Sequence, residues 1–248
     1  MRYSEEFIEL VNDIKWQGRY IGIGNPEAKV LIVGKECALE ENPNSFLYNK
    51  TFMQNQNDWL NNVRNSIGFE KIIDWKSDKE IFDLYNPLFP FYKQKFIKRI
   101  LYAHGEKQGK VKSGDGGTSV TWYNYQKLFN MYLKRIGQNS QNEYIDFFKY
   151  SFVTELSEVC RLNNNLSHLS KLEVQEERAK TERSIAERYK LICDAPFFKT
   201  FDTVILACGR YADGYNLYKM FGNAQIIPTR QLSFAVADDY LERIANEL

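Results

Sequence analysis

Four short runs of aliphatic and β-branched residues constrain the fold of this 248-residue chain more than any other feature. Lys29-Val30-Leu31-Ile32-Val33-Gly34 and Thr203-Val204-Ile205-Leu206-Ala207-Cys208-Gly209 are apolar at successive positions and end on glycine. Successive side chains of a strand point to opposite faces, so both faces of such runs have to be covered. Ser151-Phe152-Val153-Thr154-Glu155-Leu156 and Ala224-Gln225-Ile226-Ile227-Pro228 supply two further strands. Between and around them the apolar period lengthens to three and four residues, which reads as helix. Trp122, Tyr125, Leu128, Phe129, Tyr132, Leu133 and Ile136 form the strongest such stripe. Others run over Tyr3 to Trp16, Asp58 to Ile67, Phe91 to Tyr102, Tyr211 to Phe221 and Ala235 to Leu248. Ser170 to Cys193 is highly charged and reads as a long solvated helix that docks by its C-terminal end.

Strands alternating with helices imply an α/β fold, a three-layer α/β/α sandwich around a four-stranded parallel sheet. No internal repeat or linker divides the chain. Residues 1–248 are read as one domain, with 40–118 as an irregular helical and loop region laid over the sheet.

Composition removes several classes of function. No apolar run approaches the roughly 20 residues that a membrane helix requires. Glu5 and Glu6 stand where a secretory signal would be apolar, so a cytoplasmic location with no membrane partner is expected. Cys37, Cys160, Cys193 and Cys208 form no CxxC pair, and His104 and His168 are the only histidines. A zinc-ligand pattern is therefore missing, and neither a metal nor a cofactor is expected. The net charge of +1 is neutral on the question of nucleic acid. The run from Lys93 to Lys112, with Lys93, Lys95, Lys98, Arg99, Lys107, Lys110 and Lys112 against Glu106, is the one strongly basic stretch. It reads as a solvated face or as a track for a phosphate backbone.

In open parallel sheets ligands bind beyond the carboxyl ends of the strands. That rule directs attention to Gly34-Lys35-Glu36-Cys37, Glu155-Leu156-Ser157-Glu158, Gly209-Arg210 and Thr229-Arg230-Gln231-Leu232-Ser233. Taken singly these are ordinary turn and cap residues; their joint content of carboxylates and cations makes a site. Neither Ser157 nor Ser233 has a histidine nearby in sequence, and no P-loop or Gly-x-Gly-x-x-Gly is present.

In this arrangement the chain resembles the uracil-DNA glycosylase superfamily. Gly24 to Gly34 is similar to the lead into the family's first sheet strand, and Lys35-Glu36-Cys37 stands at its first catalytic motif. Phe152 to Leu156 is similar to the strand with the base-reading residue, and Val204 to Gly209 followed by Ala212 to the third strand and helix start. Gln231-Leu232-Ser233 falls at the family's terminal His-Pro-Ser motif. The resemblance implies a pocket for a base taken out of the stack, and DNA as the partner. It assigns Glu36 to the water or the sugar cation, and Gln231 and Ser233 to the leaving group or a phosphate. Gly34, Lys35 and Glu155 would bind the base, stacked on Phe46, Tyr48 or Phe52. Arg210 and Arg230 would meet phosphate.

Two departures bear on the substrate. Glu155 replaces the family's asparagine, and an ionised carboxylate accepts hydrogen bonds but cannot donate one to a uracil carbonyl. Gln231 replaces the leaving-group histidine and cannot carry its charge. The expected reaction is hydrolysis of the N-glycosidic bond of a damaged or unusual base. An inactive nucleic-acid or nucleotide-binding protein on the same fold is the alternative, and a small-molecule hydrolase or transferase shares only the fold.

Overall fold

The computed structural model describes residues 3–36, 49–68, 85–86, 88–90, 96, 120–138, 145–159, 170–233 and 236–248. The basic run from Lys93 to Lys112, both histidines and the 113–119 loop lie outside these residues.

The fold is α/β, built on a mixed five-stranded sheet. Its strands are β1 (Ile23–Gly24), β2 (Val30–Glu36), β5 (Ser151–Ser157), β6 (Thr203–Ala207) and β7 (Gln225–Pro228). A separate hairpin pairs β3 (Tyr85–Asn86) with β4 (Phe89–Pro90). The sheet order is β1-β5-β2-β6-β7; β5, β2, β6 and β7 are mutually parallel, and β1 runs antiparallel to β5. The expected all-parallel, four-stranded sheet is thus extended by one short edge strand. Gly22, at φ +153°, allows this: a Cβ there would lie 2.4 Å from the Phe152 ring and 2.6 Å from the Val153 carbonyl oxygen. No side chain fits so close to a neighbouring strand.

Helices cover both faces. On one face stand α1 (Glu5–Asn12) and α2 (Asn55–Arg64), with the C-terminal half of α4 (Lys171–Asp194). Phe152 of β5 points into this layer, with ring centroids 6.2 Å from both Phe7 and Trp59 and 5.3 Å from Phe197. The Phe7 and Phe197 contacts are edge-to-face, and pairs of this kind add roughly 0.5–1.5 kcal/mol each beyond area burial. On the other face lies α3 (Val120–Arg135), which packs against α6 (Asp238–Glu247).

Beyond β6 the expected 211–221 helix is broken. α5 covers only Tyr211–Gly214, Asn216 is left-handed at φ 50°, and a separate turn covers Leu217–Lys219. Gly214 is a poor helix residue and asparagine is among the few that tolerate this conformation, so the chain turns there. The other strand limits move little, but one shift matters: β2 continues through Gly34 to Glu36. Among the described residues no helix is long and apolar enough to cross a membrane.

α4 opens with a capping box, the Ser170 hydroxyl accepting from the Glu173 N–H and the Glu173 carboxylate accepting from the Ser170 N–H. Its first half is exposed, and it docks through Ser184, Ile185, Arg188 and Ile192. Arg188 is fully buried. Its Nε donates to the Glu155 carbonyl at 2.8 Å, Nη1 to the Tyr20 carbonyl at 2.6 Å and to Glu158 Oε1 at 2.7 Å, and Nη2 to the Thr154 hydroxyl at 3.1 Å. Thr154 donates in turn to the Ile21 carbonyl at 2.7 Å. Three segments, α4, the end of β5 and the stretch before β1, are joined by this one side chain. Replacing Arg188 by methionine keeps the bulk but strips four acceptors of their donor. Loss of one partner from a buried charge pair costs about 3–5 kcal/mol, so urea unfolding of Arg188→Met should show a loss of that order. A loss below roughly 1 kcal/mol, the worth of one ordinary hydrogen bond, would remove Arg188 from this role.

Candidate functional site

The sheet order makes a crevice. From β2 the chain proceeds to β5 on one side, and after β5 it crosses back to β6 on the other. The segments leaving the C-terminal ends of β2 and β6 therefore diverge, the topological switch point at which open α/β sheets bind ligands. Gly34, Lys35 and Glu36 stand at the end of β2, and Cys208, Gly209 and Arg210 follow β6. The Gly209 N–H donates to the Thr229 carbonyl at 3.1 Å, which brings the segment after β7 alongside.

The closest approach in the site is between two residues paired in the sheet. Gly34 of β2 is the register partner of Glu155 of β5. A Cβ on Gly34 would lie 2.1 Å from Glu155 Oε2 and 2.7 Å from its Cδ. The Glu155 carboxyl therefore occupies the volume that a side chain at position 34 would fill. Strand alternation puts Glu155 on the face opposite Phe152 and Thr154, towards α3. Glu36 pairs with Ser157, so residue 36 has its register position on the same face as Glu155, about 7 Å along the strand from Gly34.

Two further titratable groups adjoin Glu155, and no local sequence pattern singles out either. Tyr125 of α3 is buried, and burial, with the Glu155 carboxylate adding to it, holds its hydroxyl far above the ordinary phenol range. Burial pushes the Cys208 thiol up to about 12, again with Glu155 as the next cause. Both groups are therefore protonated at neutral pH beside the carboxylate.

At the rim, the Lys35 Nζ stands 4.6 Å above the Tyr211 ring, and the Arg210 guanidinium 5.8 Å from it. The Tyr211 and Tyr215 rings are stacked nearly parallel, 11° apart with centroids 6.5 Å from each other. Arg230 lies over Tyr240 at 4.8 Å, and its backbone N–H donates to the Tyr240 hydroxyl. Gln231 is exposed and Ser233 half-buried; between them Leu232 is buried, its carbonyl accepting from Asn124 of α3 at 2.8 Å.

The structure thus brings Gly34 and Glu155 together, with the register position of Glu36 on the same face, and sets Lys35 on the other face, over Tyr211. It does not bring Phe52 to them. That ring is buried against Tyr20, centroids 4.6 Å apart, on the α4 side of β5, where it cannot stack on a ligand above Gly34. Phe46 and Tyr48 lie outside the described residues. Among the described residues no group of three histidine, cysteine or acidic side chains is placed to hold a metal ion.

No family model matches the chain, and no match is found among curated proteins or among solved structures.

A thiol with a pKa of about 12 is ionised to roughly one part in ten thousand at pH 8. Native protein treated with iodoacetamide at pH 8 should therefore keep Cys208 unmodified, as read by peptide mass spectrometry, until urea is added. Glu155→Gln removes the charge that helps hold the proton on, so its Cys208 should react faster. Equal rates in the two proteins would place the carboxylate away from the thiol.

Proposed function

We propose that this chain is a divergent, uracil-DNA glycosylase-like hydrolase that cleaves the N-glycosidic bond of an unusual base, with DNA as the partner. The observation that carries the proposal is the Glu155 carboxyl laid over Gly34 at the switch point, on the face shared by residue 36. A carboxylate there accepts hydrogen bonds and donates none, so it selects a base presenting an amino group or ring N–H and disfavours a carbonyl. A mismatch of that kind costs on the order of 1–3 kcal/mol. Uracil, which sets carbonyls on both sides of its one ring N–H on that edge, is therefore disfavoured against an amino-bearing or protonated base.

In this reading Glu36 assists water or the positive charge that develops on the sugar, as carboxylates do in glycoside hydrolysis. Glu155 reads the edge of the base. Lys35 and Arg210, gathered around Tyr211, meet the flanking phosphates. Gln231 or Ser233 meets the leaving base or a phosphate.

The second reading, recognition without turnover, has its own observations in its favour. Gln231 is exposed, and Arg230 is committed to Tyr240. Neither supplies the charge that stabilises a departing base anion.

An excision assay separates the two. Labelled single- and double-stranded oligonucleotides carrying uracil, hypoxanthine, xanthine or alkylated bases are incubated with the protein, and alkali-labile sites are counted. The expected result is excision of a base other than uracil, abolished in Glu36→Gln. Altered base preference in Glu155→Gln would assign the reading role to that residue. No excision of any base at high protein concentration, with binding intact, would sink the hydrolase reading and leave recognition.

A further inference from the structure

A second concavity lies on the opposite face of β5 from Glu155. It has a volume of about 530 Å³ and opens beyond the C-terminal end of the strand. One wall is α4, through Lys180, Arg183 and Glu187; the other is the turn carrying Arg19 and Tyr20, with Phe52 and Met53. The size falls within the range of small-molecule sites, roughly 300–1,000 Å³.

Its chemistry is divided. Met53 is 46% exposed and presents an apolar wall beside the buried Tyr20–Phe52 pair. The polar wall carries three cations, Arg19, Lys180 and Arg183, with the carboxylates of Glu158 and Glu187. Glu158 at the base accepts from the buried Arg188, from Arg19 Nη1 at 3.0 Å and from the Tyr20 N–H at 3.0 Å, so its charge is offset within the protein. Glu187 lies 3.9 Å from Arg19 and is itself exposed. Lys180 pairs with Glu177 at 2.8 Å at a half-exposed position. Arg183 is exposed, lines the cleft and has no ion-pair partner among the described residues.

A rim with two guanidinium groups and an ammonium suits a phosphate better than a single carboxylate, because planar forks engage phosphate oxygens in pairs. An apolar wall next to that rim suits a ligand whose anionic end adjoins a planar, weakly polar body. We infer that this cleft is a binding site for a nucleoside phosphate, held by Arg19, Lys180 and Arg183, and distinct from the crevice between β2 and β6. The same chemistry is offered by a free nucleotide and by one residue of a nucleic-acid strand. The site stands on its own residues and does not depend on the reaction proposed above.

The test uses the whole chain and three probes, namely fluorescently labelled ATP, a labelled oligothymidylate and oligoglutamate as competitor. Lys180→Gln/Arg183→Gln alters two exposed or half-exposed side chains and should fold as the parent does, checked by circular dichroism. The expected result is binding of at least one phosphate probe, weakened about tenfold or more in the double variant, the worth of a lost charged hydrogen bond. Loss for ATP alone identifies a free nucleotide, and loss for the oligonucleotide a strand. Equal affinity in parent and variant, no binding of either phosphate probe, or displacement by oligoglutamate as effective as by unlabelled ATP would each overturn the assignment.

Discussion

The buried guanidinium of Arg188 ties α4 to the end of β5 and to the stretch before β1. A charge removed from water is tolerated only when its donors are matched, and here they are matched to the Tyr20 and Glu155 carbonyls, Thr154 and Glu158. The carbonyls are as important as the carboxylate. They belong to the end of β5 and the stretch before β1, two segments that the short β1–β5 ladder pairs only at Ile23–Val153 and Gly24–Phe152. Arg188 also lies 5.4 Å from the Trp16 ring and 5.9 Å from that of Tyr20, so the aromatic side of the same turn is fixed by it. Without this network the α4 layer would rest on Ile185 and Ile192, the half-buried Tyr189, Leu191 and Cys193, and the Ser184 hydroxyl.

The parallel strands were legible because they are apolar at consecutive positions, a pattern that only burial on both faces explains. β1 was not, because a single isoleucine between Gly22 and Gly24 carries no periodic signal; it is defined by what it lies against. The interruption at Gly214 and Asn216 was present in the sequence as turn residues but was outvoted by the apolar spacing from Tyr211 to Phe221. Arg188 is the instructive miss. Ile185, Arg188 and Ile192 are separated by three and four residues, the spacing of a single helical face. A cation in that stripe signals a buried network, yet within so charged a helix it read as one more solvated side chain.

The site divides in the same way. The rule that ligands bind at strand ends singled out Gly34 and Glu155, which are paired across β2 and β5, while Lys35 alternates to the other face, over Tyr211. What could not be read was register. Only the pairing of β2 with β5 sets Gly34 opposite Glu155, and no local pattern in either strand encodes it. Phe52 shows the converse problem. Its distance from Glu36 along the chain suited a stacking role, but chain distance does not say which face of the sheet a loop reaches.

The contact between Gly34 and Glu155 makes the two positions a single chemical unit. The carboxylate sits in the space of an absent side chain, so the acid's reach into the crevice is set by what residue 34 lacks as much as by what residue 155 has. A methyl at 34 would displace the acid without changing its charge, whereas an amide at 155 would change the charge and leave the acid's place filled. Energies assigned to either position alone therefore describe the pair, and in a double substitution the two effects would not add. The geometry here is written across two strands, in a glycine and a glutamate that act as one.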